Sequence, residues 1–246
     1  MTLPTAAGNR ADWQETRVDL SAALRWAARL GFHEGVCNHF SVMLAPDRFL
    51  INAHRMHWAK ARASELLVID DRGNTVEGEG RPATTGTNIH VPMHGMTGHR
   101  VILHTHMPYT TALTCIEGGR LEMCHQNAGR FYGLVAYDDA FNGFASDMDE
   151  GTRMSRMMGD KRVLFLGNHG VVVAGETIAD AFDDLYYLER ACQVQVLAMS
   201  TGRPLRTIPD EAAAKLVSFA TRHENAVHFL SAIRGILDDE EPSYSA

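Results

Sequence analysis

The chain has 246 residues, 45% of them hydrophobic and 22% charged, and 23 Lys and Arg against 30 Asp and Glu give a formal net charge of -7. These are the proportions of a soluble globular protein, large enough to bury a core without disulfides or a structural metal. No run approaches the ~20 apolar residues of a membrane span. No basic stripe offers itself to a phosphate backbone, so neither membrane nor nucleic acid is expected as a partner.

Residues 10–30 read as an amphipathic helix, with Leu20, Leu24, Ala27, Ala28 and Leu30 at helical spacing and Gly31 as its C-cap. Residues 36–44 and 49–52 read as strands joined by the turn Ala45-Pro46-Asp47-Arg48. A third strand covers 66–69, and the turn at 71–74 leads into 75–77. A loop over 78–86 precedes a helix starting at Thr87, in which Pro92 is expected within or near the first turn. Residues 100–105 form an apolar strand that runs into His104-Thr105-His106, and Pro108 opens a short helix through Cys115. A helix is then expected over 126–132, a strand over 134–137 and a helix over 149–158. Strands at 163–166 and 170–174 flank Gly167-Asn168-His169. Thr177 and Asp180 resemble a capping box and start a long helix whose stripe is Ile178, Phe182, Leu185, Leu188, Cys192 and Val196. Pro209 begins a last helix to about Leu237, followed by a frayed acidic tail.

There is no internal repeat, low-complexity block or linker, so 1–246 reads as one α/β domain with its core at about 15–203. The hairpin turns predict a largely antiparallel sheet. Cys37, Cys115, Cys124 and Cys192 form no CxxC pair, and residues 1–10 lack the pattern of a signal peptide. Free thiols in a reducing cytoplasm are the expectation.

Thirteen histidines stand out. His104 and His106 are two apart at a strand end, which puts both rings on one face with Cα atoms roughly 6.6 Å apart. His169 lies where another apolar strand meets a turn flanked by Gly167 and Gly170. Three histidines around an open position would make a catalytic rather than a structural metal site.

The run His104-Thr105-His106-Met107-Pro108-Tyr109 resembles the metal-binding motif of the class II aldolase/adducin family. So does 163–170, which ends in Gly167-Asn168-His169-Gly170, with the apolar strand and the Gly175-Glu176-Thr177 helix start after it. Asn38-His39-Phe40-Ser41-Val42 is similar to the family's Asn-x-Ser strand, and Phe49-Leu50-Ile51-Asn52 to its next one. The resemblance covers about residues 15–203. It implies a three-layer α/β/α sandwich with a central, mainly antiparallel sheet, assembled as a homotetramer with sites near subunit interfaces. It also implies His104, His106 and His169 as ligands of a divalent cation, Zn²⁺ first, with Fe²⁺, Mn²⁺ or Co²⁺ as alternatives. Such a cation would polarise a substrate oxygen and stabilise an enolate.

The chain departs from that pattern in two places. The family's aldolases carry a Glu four residues before the position of His90; here that position is Gly86, and no carboxylate lies between Arg81 and Glu117. The family's phosphate-binding turns are replaced by Asn52-Ala53-His54-Arg55 and at best by Thr84-Thr85. Asn38, His39, Arg55, Thr84 and Thr85 are therefore the expected substrate contacts, with His39 able to meet a carboxylate. Tyr109 and His125 are the expected proton-handling residues. His54, His57, His90, His94 and His99 read as structural or exposed.

The leading expectation is a metal-dependent lyase that cleaves a C–C bond of a small hydroxy or oxo acid or sugar-like substrate, by decarboxylation or retro-aldol reaction. An Fe(II) oxygenase on the same three histidines would not need the missing Glu. A non-catalytic adducin-like module is the third reading.

Overall fold

The computed structural model describes residues 10–217 and 221–246. Its centre is an eight-stranded sheet. From one edge to the other run β4 (Thr75–Glu77), β3 (Leu67–Ile69), β2 (Arg48–Ile51), β1 (His39–Ala45), β5 (Val101–Thr105), β8 (Gly170–Gly175), β7 (Val163–Leu166) and β6 (Val135–Asp138).

Strand alternation sorts side chains onto two buried faces. Phe40, Val42, Val101, Leu103, Val171 and Val173 pack on one face with residues of α1 (Arg10–Arg29), α5 (Ile178–Met199) and α7 (Arg222–Glu240). Ile102, Leu164, Leu166, Val172 and Ala174 pack on the other with α2 (Thr84–Thr97) and α4 (Met148–Met158). The short helix α3 (Pro108–Thr114) lies against α5 and β8, and α6 (Asp210–Val217) precedes α7. The result is helices on both sides of one sheet. His39, Ser41 and His104 have the parity of the α2 face, and β1–β5 pairing sets His39 opposite His104.

The sheet is mixed, which corrects the antiparallel expectation. β6 and β7 pair in parallel from Val135–Val163 to Asp138–Leu166, while the other neighbours are antiparallel. The cause lies in the chain between them: α4 carries it back across the sheet, the crossover that a parallel pair requires. Hairpin turns alone could not reveal that edge.

Other boundaries move for identifiable reasons. The first strand begins at His39 rather than residue 36, because Asn38 takes a left-handed φ of 72° and its side-chain Oδ1 accepts from the Glu34 N–H. α2 starts at Thr84, three residues before Thr87, so Pro92 sits deep in the helix and not in its first turn. Pro92 leaves the Asn88 carbonyl without its helical donor. Gly151 of α4 covers that carbonyl so closely that a Cβ there would lie 1.9 Å from the oxygen. The 126–132 segment is helical only as a 3-10 turn over Ala128–Phe131.

The C-terminal region forms two helices, α6 and α7, where one was expected; the segment from 218 to 220 between them lies outside the described residues. Nor is the acidic end frayed. Arg25 donates to Glu241 at 2.7 Å, Tyr244 is fully buried with its hydroxyl on Asp238, and the Ala246 carbonyl accepts from the Ser64 N–H.

Candidate metal centre

Three elements deliver the histidine triad. His104 is the penultimate residue of β5 and lies on the α2 face, His106 follows one residue beyond the strand, and His169 lies in the tight turn between β7 and β8. The turn can close because Asn168 accepts a φ of 55° and Gly170 has no side chain. A Cβ at Gly170 would lie 2.5 Å from the Thr105 carbonyl oxygen and 2.8 Å from the His106 ring. That absence brings His169 beside the end of β5. The three ring centroids are 4.8–5.1 Å apart, and one nitrogen of each ring lies within 4.8 Å of the others.

The hydrogen bonds at the back of the rings decide what faces inward. His104 Nδ1 is 3.0 Å from the Val171 carbonyl, which can only accept, so Nδ1 carries the proton and Nε2 the lone pair. His106 Nδ1 lies 2.5 Å from the Glu34 carboxylate, and its Nε2 is buried without a partner. A carboxylate behind an imidazole is the arrangement that orients metal-ligating histidines. Burial, with neighbouring histidines, holds His104 well below the usual histidine range and lowers His169 to about 4. Converging lone pairs and an orphaned Nε2 fit a divalent cation on three imidazoles.

A second set of histidines lies directly behind the first. The His39 ring stacks on His104 with centroids 5.0 Å apart. Its Nδ1 is 2.8 Å from His90 Nε2; His90 Nδ1 is 2.5 Å from Ser41 Oγ, and Ser41 Oγ is 2.7 Å from His94 Nε2. His94 Nδ1 ends the series on the His99 carbonyl at 2.8 Å. All four side chains are buried, and desolvation lowers His39 to about 3, His94 to about 4 and His90 well below the usual range.

Gly86 lies in the first turn of α2 and faces this assembly. A Cβ there would come 3.0 and 3.1 Å from His39 Cδ2 and Cγ. The imidazole of His39 therefore fills the space into which a side chain at Gly86 would project.

The remaining expected contacts are spread around this centre. Asn38 is buried, with Nδ2 unpartnered and its carbonyl accepting from Asn52. Arg55 is exposed at a φ of 64°, uncommon for such a side chain. Thr84 is exposed and Thr85 half-buried at the start of α2, whose N-cap Ala83 supplies no side-chain acceptor. Among the described residues, no hydrogen bond or ring contact joins Tyr109 or His125 to the triad. Tyr109 packs at the edge of the core with its N–H on Glu189, and His125 has a buried, unpartnered Nδ1.

Glu34, Ser41, His90 and His94 were not expected here. Glu34 lies 72 residues from His106 in the chain, and no sequence signal links them. The other three had one: His39 and Ser41 share a strand face, and His90 and His94 share a helix face at i, i+4.

The sequence profile described as the class II aldolase and adducin N-terminal domain matches residues 18–196. The chain belongs to that family. A solved structure of an aldolase II superfamily protein from Pseudomonas syringae is 30% identical, with a TM-score of 0.86 over 95% of this chain and 96% of its own. An L-fuculose 1-phosphate aldolase from Glaciozyma antarctica superposes with a TM-score of 0.83 at 26% identity, covering 99% of this chain and 96% of that one. The decarboxylase NovR of Streptomyces niveus is 29% identical over 78% of this chain and 73% of its own length.

Proposed function

We propose that the protein is a divalent-metal-dependent lyase that breaks a C–C bond in a small hydroxy or oxo acid or sugar-like substrate, by decarboxylation or retro-aldol cleavage. The observation that carries this reading is the convergence of three imidazoles, two with ring protons directed away from the centre onto Val171 and Glu34. His104, His106 and His169 would hold the cation, with zinc the first choice, and a bound cation supplies Lewis-acid polarisation of a substrate oxygen. Similarity to an aldolase and to a decarboxylase supports lyase chemistry.

The chain's own residues narrow the reaction. Glu34 is committed to His106, and Gly86 stands where a carboxylate could act. Decarboxylation suits this site best, because the bonding pair that CO₂ leaves behind would pass into a carbonyl on the adjacent carbon, whose oxygen a bound cation would polarise, and no carboxylate base is needed to begin. Arg55 and the start of α2 at Thr84 and Thr85 would receive an anionic substrate group, with Asn38 Nδ2 proposed as a further donor. A sugar-like substrate without a phosphate remains within this reading. The assembly proposed is a homotetramer in the cytoplasm; exposed Phe141, beside His169, and exposed Phe144 suit a subunit contact.

Metal-loaded protein should therefore release CO₂ or an aldehyde from a panel of 2-oxo, 3-oxo, 2-hydroxy and 3-hydroxy acids without consuming oxygen, and His104→Ala should abolish it. Oxygen uptake tied to turnover would instead identify an Fe(II) oxygenase, which the lack of a carboxylate at Gly86 also suits. Neither turnover nor metal uptake would leave an adducin-like binding module.

A further inference from the structure

The buried chain behind the triad has a direction, and a backbone carbonyl sets it. The His99 carbonyl can only accept, so His94 Nδ1 must donate to it. His94 is fully buried and neutral, which leaves its Nε2 with a lone pair, and the Ser41 hydroxyl must then donate to Nε2. Having spent its proton there, Ser41 Oγ accepts from His90 Nδ1. His90 Nε2 is consequently an acceptor, and His39 Nδ1 donates to it. Each step leaves only one tautomer for the next ring.

The last ring is the one beside the triad. His39 stacks on His104 and is wedged against Gly86, and its Nε2 has no hydrogen-bond partner among the described residues. With Nδ1 committed as a donor, the other nitrogen of the neutral ring presents a lone pair.

We propose that the His99 carbonyl–His94–Ser41–His90 chain locks His39 with an unprotonated Nε2 beside the metal centre, so that the site selects ligands that bring a hydroxyl donor next to their metal-binding oxygen. The inference rests on the triad being a metal site. It assigns His39 to a hydroxyl and not to a carboxylate, which has no proton to give. Ser41, His90 and His94 become positioning residues: none touches the ligand, and each fixes the ring that does. The substrate class narrows to hydroxy acids and hydroxy carbonyl compounds.

Two readouts test this on the full-length protein. The first is ¹⁵N spectroscopy of the histidine rings, which separates protonated from unprotonated nitrogens, with peaks assigned by single His→Gln variants. His39, His90 and His94 should all be neutral with the proton on Nδ1. Ser41→Ala should release the lock, so that protonated Nε2 appears at His39, while Ser41→Thr should preserve it. The second readout is binding of glycolate against methoxyacetate, whose capped oxygen cannot donate, by zinc-loaded protein. Glycolate should bind about five- to tenfold more tightly, the worth of one hydrogen bond. That preference should vanish in His39→Phe.

A wild-type His39 protonated on Nε2 would overturn the inference, and so would a glycolate preference that persists in His39→Phe. Failure to take up zinc would instead overturn the triad reading, and the ring spectra would still decide the tautomer.

Discussion

At the scale of single residues, the site depends on groups that never face it. Glu34 holds the proton side of the His106 ring and so aims its buried Nε2 inward. Glu34→Gln should weaken zinc binding about 10- to 100-fold with the fold intact, as read by competition with a chromophoric chelator; unchanged affinity would show that the ring is held without it. Gly86 makes a different kind of contribution. A helical Gly→Ala change in open space stabilises, but here the new methyl would press on a His39 ring already pinned by His90 and stacked on His104. Gly86→Ala is therefore expected to cost about 1 kcal/mol or more in urea unfolding, the cost of overpacking. A stabilised variant would mean that His39 can move aside.

At the scale of elements, the junction from β5 into α3 governs where His106 stands. Glu189 of α5 reaches across to accept from the Tyr109 and Thr110 N–H groups and from the Thr110 hydroxyl, capping α3 two residues after Met107 opens the turn. The carboxylate is buried, and desolvation raises its pKa against the lowering effect of those three donors. Glu189→Ala should destabilise the protein by about 2 kcal/mol, since buried donors would lose their acceptor, and should also loosen zinc binding through His106; melting and metal titration together check this. The sequence made much of this architecture legible. The stripe of α5 and its Thr177 cap, in which Oγ1 accepts from the Asp180 N–H, were readable from spacing alone. So was the meeting of His104 and His106 on one strand end. What escaped were relations between distant segments. The parallel β6–β7 edge follows from a crossover helix, and the early start of α2 puts Gly86 and His90 inside one helix that packs on β1. His90 and His94 read as structural because only the packed sheet reveals that Ser41 and His39 meet them.

At the scale of the whole molecule, the buried histidines tie stability to pH. Folding lowers His39 to about 3, His94 to about 4 and His90 well below the usual range, chiefly by desolvation. The unfolded chain binds these protons near pH 6.5, the folded chain only at much lower pH. Stability is therefore complete above about pH 6.5 and falls as the pH drops toward 4, by roughly 1.4 kcal/mol per unit for each such histidine. Urea midpoints of chelator-treated protein at pH 7.5, 6.5 and 5.5 should show a plateau and then a steep decline; a flat profile would mean that these rings are not held neutral.

Metal binding by the triad underlies the functional account, and elemental mass spectrometry of untagged protein, purified without chelator, tests it most directly beside a His104→Ala/His169→Ala double variant. About one zinc, iron, manganese or cobalt per chain in the wild type, absent from the variant, is the predicted result for a three-histidine site. No metal in the wild type, even after reconstitution with each of these ions, would contradict it.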